Sequence, residues 1–266
     1  MRIKNLFIFL WCINGYGQIL NIDREIVVDS LPRSIIGVID LSFSVDKQRR
    51  DIIELTQQTE IDFLNKENTN ILIVLAHTDL VFNGVNVLEN NGYFQLRFRD
   101  NDIKKIAADY YVQYQWNGIL GLQNRAVAGC NARFKFWDDR TDDLYAGLGV
   151  FYEFERWNPF LENYAFGGTD LQEVNRSLIR LNMTLKTAIN LNNGLDFSAI
   201  TYIQAPLNAG VENILNPRWF LDAQLNFHLN RHLDFQIKYN QNLDFLRPLP
   251  IDSYFYSSTL GCRVKF

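Results

Sequence analysis

The last stretch of the chain, YFYSSTLGCRVKF at 254–266, alternates between two kinds of side chain. The apolar or aromatic positions are Tyr254, Tyr256, Leu260, Cys262, Val264 and Phe266, with Ser258 as the exception. The small or charged positions are Ser257, Thr259, Gly261, Arg263 and Lys265. Side chains two residues apart share one face of a β-strand, and neighbours point to opposite faces. The stretch therefore predicts a strand with one apolar face and one polar face, ending on an aromatic residue.

The same two-residue period recurs upstream and predicts about twelve strands in all. The eleven earlier segments lie at about 35–45, 51–64, 70–82, 92–99, 105–116, 124–136, 143–156, 173–189, 194–205, 218–229 and 232–243. In the third segment, the run ILIVLA leaves the phase of the alternation open. Segments of about 10 residues can cross a bilayer at a tilt, whereas strands of soluble proteins are usually nearer 5–6 residues. No long helical period interrupts the segments, so the predicted class is all-β.

The connections between segments indicate how the strands are arranged. Those after even-numbered strands are short, as in NKENTN, DNDI and NRH, and those after odd-numbered strands lengthen in the second half, at 157–172, 206–216 and 244–252. The two earliest odd connections are short as well. Short turns at one end and longer loops at the other are typical of outer-membrane barrels. We therefore predict an up-and-down antiparallel transmembrane β-barrel of about twelve strands, closed so that no strand edge meets lipid.

The amino terminus has the pattern of a secretory signal. Two cations, Arg2 and Lys4, precede the apolar run LFIFLWCI, and small residues follow up to Gly17. The run is too short for a transmembrane helix, which needs about 20 apolar residues. Cys12 lies inside the run without the small residues expected before a lipidated cysteine, so a lipoprotein is not predicted. We expect a signal peptide at 1–17, a periplasmic lead at 18–34 and the barrel at 35–266.

Charge and cysteine content exclude some classes of partner and bond. The formal net charge is −4, and it becomes −6 without residues 1–17, which carry two cations and no acid. Nucleic-acid binding is not predicted, since no basic stripe appears. Cys130 and Cys262 fall on the apolar parity of strands distant in sequence, and we expect two small lipid-facing side chains rather than a disulfide.

Catalytic, metal and cofactor sites are not predicted. His228 falls on the polar parity of its strand and is expected to be a hydrogen-bonded interior residue, and His232 follows a turn and is expected in solvent. His77 ends an apolar run, and a lipid-directed histidine–serine pair on the lipid face stays open as an alternative. No metal-ligand spacing is present, and the glycines of 147–149 are expected to relieve crowding inside the barrel.

Charged residues of both signs share the polar face of the predicted strands. They are Arg97, Arg99, Arg125, Arg133, Lys135, Glu153, Glu155, Arg180, Lys186, Asp196, Asp222, Asp234, Lys238, Arg263 and Lys265. On strands six and seven we expect Arg133 and Lys135 to lie against Glu153 and Glu155. Two interpretations stay open: a salt-bridge lattice that fills a narrow lumen, or a water-filled path that selects a solute. Mixed signs argue against strong ion selectivity, and about twelve strands make a narrower barrel than the 16–18-stranded porins.

Aromatic residues on the apolar parity predict girdles at the two membrane interfaces. The predicted girdle residues are Tyr110, Tyr114, Trp116, Tyr152, Phe154, Trp219, Tyr239, Tyr254 and Tyr256. A ligand-stacking role is the alternative for aromatic residues, and it fits the loop residues Trp157, Phe160 and Tyr164 better.

Three segments resemble a known family. They are RAVAGCNARFKFWDDRTDDLYAGLGVFYEFE at 125–155, NRSLIRLNMTLKTAINLNNGLDFSAITYIQAPLN at 175–208 and the closing RPLPIDSYFYSSTLGCRVKF. Together they resemble the salt-induced outer-membrane proteins, or domain of unknown function 481, over about 35–266. The resemblance implies a barrel in the bacterial outer membrane, surrounded by lipid and lipopolysaccharide. It also implies assembly by the outer-membrane insertion machinery, with Phe266 as the closing-strand signal.

The family has no established activity, so the resemblance transfers no catalytic residue. We expect a non-enzymatic barrel, either a narrow channel for a small solute or a structural barrel linked to envelope stress. An outer-membrane enzyme acting on lipid and a secreted soluble β-barrel are the alternatives.

Overall fold

The computed structural model describes twelve β-strands in one antiparallel sheet. The described residues are 35–47, 51–65, 69–83, 86–103, 105–138, 143–159, 172–192, 194–208, 216–229, 233–246, 248 and 253–264. The expected signal peptide and lead, His232, Phe160, Tyr164, Lys265 and Phe266 lie outside these ranges. Within them, no helix has the length and apolar character to cross a membrane.

Each strand pairs with the next one along the chain, so β1 and β12 stand at the two ends of the sheet order. The strands are β1 Ile35–Lys47, β2 Asp51–Leu64, β3 Asn70–Asn83, β4 Asn86–Ile103, β5 Ile106–Asn117, β6 Leu122–Asp138, β7 Asp143–Trp157, β8 Val174–Asn192, β9 Leu195–Pro206, β10 Arg218–His228, β11 Leu233–Asp244 and β12 Tyr254–Val264. The predicted all-β, up-and-down class with twelve strands is confirmed. We call the end with connections after odd strands the loop end and the opposite end the turn end.

The largest difference from the predicted segments is β4, which begins at Asn86 rather than near 92. Its first residues, NVLENNG, do not alternate cleanly, and the β3–β4 ladder shifts register between Val81 and Phe82. A bulge of this kind adds a residue to one strand and breaks the simple period of two. The alternation in sequence therefore begins only beyond the bulge.

The two faces of the sheet have opposite character, as one register row shows. On one face, Phe94, Tyr114 and Phe154 lie in the same row, with Ala126 between the last two, and are 55%, 48% and 38% exposed. The next row, one residue along, lies on the other face and is buried: Glu60, Leu75, Gln95, Gln113, Val127 and Glu153. Polar side chains are thus buried and large apolar side chains are exposed, the reverse of a water-soluble domain. We call these the inner and outer faces.

The sheet curls with its inner face on the concave side. Asn182 on β8 donates from Nδ2 to Asn131 Oδ1 on β6 at 3.3 Å, across the intervening β7. Arg176 on β8 donates to the carbonyl oxygen of Leu246, which follows β11. Such contacts between strands that are not neighbours bring the inner-face side chains of β6 to β11 into one packed region.

Candidate functional site: the charged inner face

Two carboxylates on β7 form the centre of the largest charged group. Glu153 and Glu155 project from the inner face near the loop end, and both are fully buried. Arg125, from the neighbouring β6, approaches both: its Nε lies 2.9 Å from Glu153 Oε2 and 3.4 Å from Glu155 Oε1. From the other side, Arg180 on β8 bonds Glu153 through Nε. Two neighbouring strands therefore supply cations to one buried acidic pair.

More distant strands complete this group. Arg218, the first residue of β10, donates to Glu155 Oε1 at 3.1 Å, to Glu153 Oε2 at 3.3 Å and to Asp244 Oδ2 on β11 at 2.9 Å. Arg176 on β8 also bonds Glu155. The resulting Glu153 cluster comprises Arg125, Glu153, Glu155, Arg176, Arg180, Arg218 and Asp244.

The Glu153 cluster fixes the packing of five strands. A buried charge is tolerated where it is paired and hydrogen-bonded, and removing one partner of a buried pair costs about 3–5 kcal/mol. Here Glu153 and Glu155 each have three cationic partners on different strands. The cluster therefore works as a cross-link between β6, β7, β8, β10 and β11 and fills the space inside this part of the sheet.

A second charged group lies toward the turn end. Asp109 on β5 accepts from Arg99 Nε at 2.9 Å, and its Oδ2 lies 4.0 Å from Arg97 Nη1 and 3.9 Å from Arg133 Nε. The guanidinium of Arg133 also stacks 4.0 Å above the ring of buried Tyr145. Lys186 Nζ lies 5.6 Å from the centre of that same ring. One carboxylate and one aromatic ring thus hold cations from β4, β6 and β8.

An apolar layer separates the two charged groups. Tyr111, Val127 and Phe151, on β5, β6 and β7, form a buried cluster on the inner face. The space there is full: a Cβ on Gly129 would lie 2.5 Å from Phe151 Cβ and 2.8 Å from the Tyr111 hydroxyl. A Cβ on Gly149 would overlap Asn131 Oδ1 and the carbonyl oxygen of Cys130. Gly129 and Gly149 therefore relieve crowding on the inner face, as expected from the sequence for Gly149, whereas a Cβ on Gly147 would lie 3.3 Å from Thr184 Cβ.

The described histidines pair with acids on the inner face. His228 places Nδ1 2.8 Å from Asp234 Oδ1 and Nε2 2.6 Å from Asp196 Oδ2, which confirms its predicted hydrogen bonding on the polar face. His77 lies 2.7 Å from Asp79 Oδ2. It is in register with Tyr93, whose ring it contacts, and this places His77 on the inner face rather than the lipid-facing side considered from sequence. No grouping of three possible metal ligands occurs within the described ranges.

The residues predicted from sequence for the polar face lie on the inner face wherever their side chains are described. Those that are buried are Arg97, Arg125, Arg133, Glu153, Glu155, Arg180, Lys186 and Asp234. Those that are partly buried are Arg99, Lys135, Asp196, Asp222 and Lys238. Arg263 lies within β12, but its side chain is outside the description, as is that of Cys262.

One predicted pairing is wrong. Arg133 and Lys135 do not lie against Glu153 and Glu155: they are in register with Gly147 and Tyr145, close to the β6–β7 turn. In an antiparallel hairpin, residues equally far from the turn face each other. Glu155 therefore meets Arg125, near the loop end, and the basic pair belongs to the turn end.

Three members of the Glu153 cluster did not appear among the predicted residues: Arg176, Arg218 and Asp244. Arg218 and Asp244 stand at strand ends, where the alternation is hardest to follow, yet both have the correct parity. Arg218 lies four residues before Asp222, and Asp244 ten residues after Asp234. Following the period of two for four more residues, back from Asp222 and on from Asn240, would have found them. Their bonds to β7 could not be found in this way, because those strands are not neighbours in sequence.

Trp157 was considered a loop residue from sequence, and this is also wrong. It ends β7, is buried and donates from Nε1 to Glu155 Oε2 at 3.1 Å. Because Trp157 is buried on the inner face, its side chain packs there and its ring is not accessible to a ligand. On the outer face, Cys130 is an exposed free thiol, and three of the predicted girdle residues, Tyr110, Tyr152 and Tyr256, are exposed.

Comparison with known proteins identifies a family. The family model described as "Protein of unknown function, DUF481" matches residues 83–252, well over half of the chain. No curated protein matches, and no solved structure does. The matched region contains both charged groups of the inner face. This chain belongs to the DUF481 family of proteins of unknown function.

Proposed function

We propose that this protein is a non-enzymatic β-barrel of the bacterial outer membrane, with a narrow lumen that is partly filled by its own charged side chains. One observation carries the proposal: the sheet buries its charged face and exposes its apolar face. Leu148 and Val150 on β7 are 50% and 44% exposed, whereas Glu153 and Arg180 are fully buried. The proposal supposes that lipid covers the outer face.

The energetics favour a lipid environment for the outer face. Moving a large apolar side chain out of water is worth about 1.5–3 kcal/mol when its burial is complete. Exposed apolar residues occupy consecutive outward positions on β1, at Ile39, Leu41, Phe43 and Val45, and similar rows follow along the sheet. A continuous exposed apolar surface marks contact with a partner or a membrane. A secreted soluble barrel would leave this surface in water.

Strand length and strand order support the same proposal. The strands contain 11–19 residues, and about 9–11 tilted residues suffice to cross a bilayer. The unpaired edges of β1 and β12 would be costly in lipid, where backbone groups have no water to bond. The proposal therefore includes pairing of β1 with β12 to close the sheet into a barrel.

The packed inner face argues against a wide pore. The Glu153 cluster and the Tyr111–Val127–Phe151 layer fill the space beside β5 to β11. In a barrel of twelve strands, this leaves room only for a narrow path or none. A porin-like open channel is therefore not part of the proposal, and the filled-lattice interpretation is favoured for this part of the lumen.

The alternative of a lipid-directed enzyme rests on His77, and an assay of phospholipid hydrolysis tests it. His77 and Asp79 form a pair, but they lie on the inner face, away from the outer face that would meet lipid. We expect refolded protein incubated with phospholipid vesicles to release no more fatty acid than a His77→Gln variant. A loss of fatty-acid release specific to His77→Gln would contradict the non-enzymatic proposal.

Matched leucine substitutions test whether the outer face meets lipid. Leu148 lies near the middle of β7 on the outer face, and Leu207 is similarly exposed just beyond β9 at the loop end. A lysine at the bilayer midplane of a barrel costs about 2–4 kcal/mol, and about 0–1 kcal/mol near the interface. We expect Leu148→Lys to lower the free energy of unfolding in lipid vesicles by that larger amount and Leu207→Lys to change it little. Equal, small effects of the two substitutions would favour an outer face in water.

A further inference from the structure

The inner face is filled unevenly around the sheet. Inner-face side chains of β5 to β9 are mostly buried, as for Asp109, Glu153 and Gln204. On β1, β2 and β12 the inner positions include Ser42, Ser44, Glu54 and Thr259, which are exposed. These three strands would be neighbours once β1 meets β12. We call their inner surface the open wall.

Register places the residues of the open wall on the inner face. Ser44 pairs with Glu54, and Glu54 lies six residues before buried Glu60 on the same parity. Thr259 pairs with Lys238, which in turn pairs with Gln224 of β10. Both rows continue the polar face of the sheet. These side chains therefore face the interior of the proposed barrel and not its lipid-facing surface.

Glycines at two places on the inner face show how much space lies above each part of it. A Cβ added to Gly129 or Gly149, on β6 and β7, would collide with neighbouring atoms. A Cβ added to Gly261 on β12 would meet nothing within 4 Å among the described residues. Gly261 is in register with Gln236 and so faces inward. Space is thus absent beside β6 and β7 and present beside β12.

The chemistry of the open wall suits small hydrophilic solutes. Its exposed side chains are hydroxyls and one carboxylate, and Ser44 Oγ donates to Glu54 Oε2 at 3.3 Å. The charged side chains that the structure describes on these strands are acidic: Glu54 is exposed, Asp62 is partly buried and Glu60 is buried. Acidic side chains lining a pore favour cations over anions.

We propose that a water-filled passage runs along the open wall, beside the packed half of the lumen, and conducts small hydrophilic solutes with a preference for cations. This inference rests on the proposed barrel and adds to it the position and the selectivity of the path. The Glu153 cluster then acts as a rigid filler that confines the path to one side.

Single cysteines test the position of the passage in planar bilayers. The native cysteines are first removed by Cys12→Ser, Cys130→Ser and Cys262→Ser. Thr259→Cys or Ser42→Cys is then added to this background. The matched control is Val127→Cys, on the packed inner face. A charged, membrane-impermeant thiol reagent should lower the unitary conductance of the Thr259→Cys and Ser42→Cys barrels and leave that of Val127→Cys unchanged. Equal effects at Thr259 and Val127, or no reaction at Thr259, would overturn the proposed position.

Glu54 provides the test of selectivity. Across a salt gradient of KCl, the reversal potential should indicate cation preference, and Glu54→Gln should shift it toward zero. An anion-selective current, or no shift in Glu54→Gln, would overturn the selectivity.

A separate measurement keeps this inference distinct from the proposed function. Heat-modifiable mobility of each refolded variant reports whether the barrel has folded. A folded, inserted barrel without conductance would overturn the passage and leave the proposed barrel intact. Failure to insert into any lipid would overturn the barrel proposal itself.

Discussion

Arg218 Nη2 lies 3.1 Å from Glu155 Oε1, although the two residues stand on β10 and β7 with two strands between them. The same guanidinium reaches Asp244 on β11 at 2.9 Å. One side chain therefore ties together strands separated by more than sixty residues of sequence. The bond is possible because the sheet curls, and it holds the curl in place because both partners are buried.

Removing a carboxylate from this cluster should destabilise the fold strongly. Glu153→Gln removes the carboxylate that Arg180 bonds and that Arg125 and Arg218 share with Glu155. Breaking a buried pair of this kind costs about 3–5 kcal/mol. The matched control is Glu173→Gln, which breaks an exposed pair with Arg156 whose atoms lie 2.8 Å apart. Exposed pairs are worth about 0.2–1 kcal/mol.

Urea unfolding of the refolded protein in lipid vesicles measures both Glu→Gln variants under one condition. A Glu153→Gln variant no less stable than Glu173→Gln would show that the Glu153 cluster does not cross-link the strands.

Glycine substitutions should distinguish the packed and open parts of the inner face. In Gly149→Ala, the new methyl group overlaps the carbonyl oxygen of Cys130, a backbone atom that cannot rotate away. Overpacking of this kind costs about 1–3 kcal/mol. Gly261→Ala meets open space, and it should be neutral or should raise stability by a few tenths of a kcal/mol up to about 1 kcal/mol through a less flexible unfolded chain.

The transition midpoints of the two Gly→Ala variants in the same denaturant series provide the comparison. A loss of stability in Gly261→Ala as large as that in Gly149→Ala would mean that the interior is filled evenly.

The closing strand should matter more for assembly than for stability. Phe266→Ser or deletion of Phe266 should lower the yield of heat-modifiable barrel in the outer-membrane fraction, since the resemblance implies that the insertion machinery reads this residue. Lys265→Gln, one position away and on the polar parity, is the matched control and should assemble normally. Normal assembly of both variants would count against the role assigned to Phe266.

The fold could be predicted from sequence because each strand has its own alternation. Leu144, Leu148 and Val150 alternate with glycines and acids along β7, and no tertiary information is needed to see one apolar face. The β3 run ILIVLA lacks this contrast: its inner face carries Ile73 and Leu75, which are as apolar as the outer residues. The phase of β3, and with it the position of His77, becomes clear only through pairing with β2 and β4.

Most residues of the candidate site could be predicted from sequence, but the contacts between them could not. The period of two placed Arg125, Glu153 and Arg180 on one face of the sheet. It does not determine which residues of neighbouring strands face each other. The predicted pairing of Arg133 with Glu153 is wrong because inward charges on neighbouring strands meet only where the register places them opposite each other. Register within the hairpin, and the curl that brings Arg218 to β7, depend on the whole sheet.

The central claim is that the outer face contacts lipid, and the native thiol of Cys130 on that face tests it most directly. A nitroxide label on Cys130, in a Cys12→Ser and Cys262→Ser background, is compared in lipid vesicles with a label on Thr184→Cys of the inner face, made with Cys130→Ser added. Oxygen concentrates in hydrocarbon, and a neutral nickel chelate stays in water. We expect electron paramagnetic resonance to show frequent collisions of the Cys130 label with oxygen and few with nickel, and the Thr184 label to lack this excess of oxygen collisions. Free collision of the Cys130 label with nickel, equal to that of a label on exposed Leu207→Cys, would place the outer face in water and contradict the account.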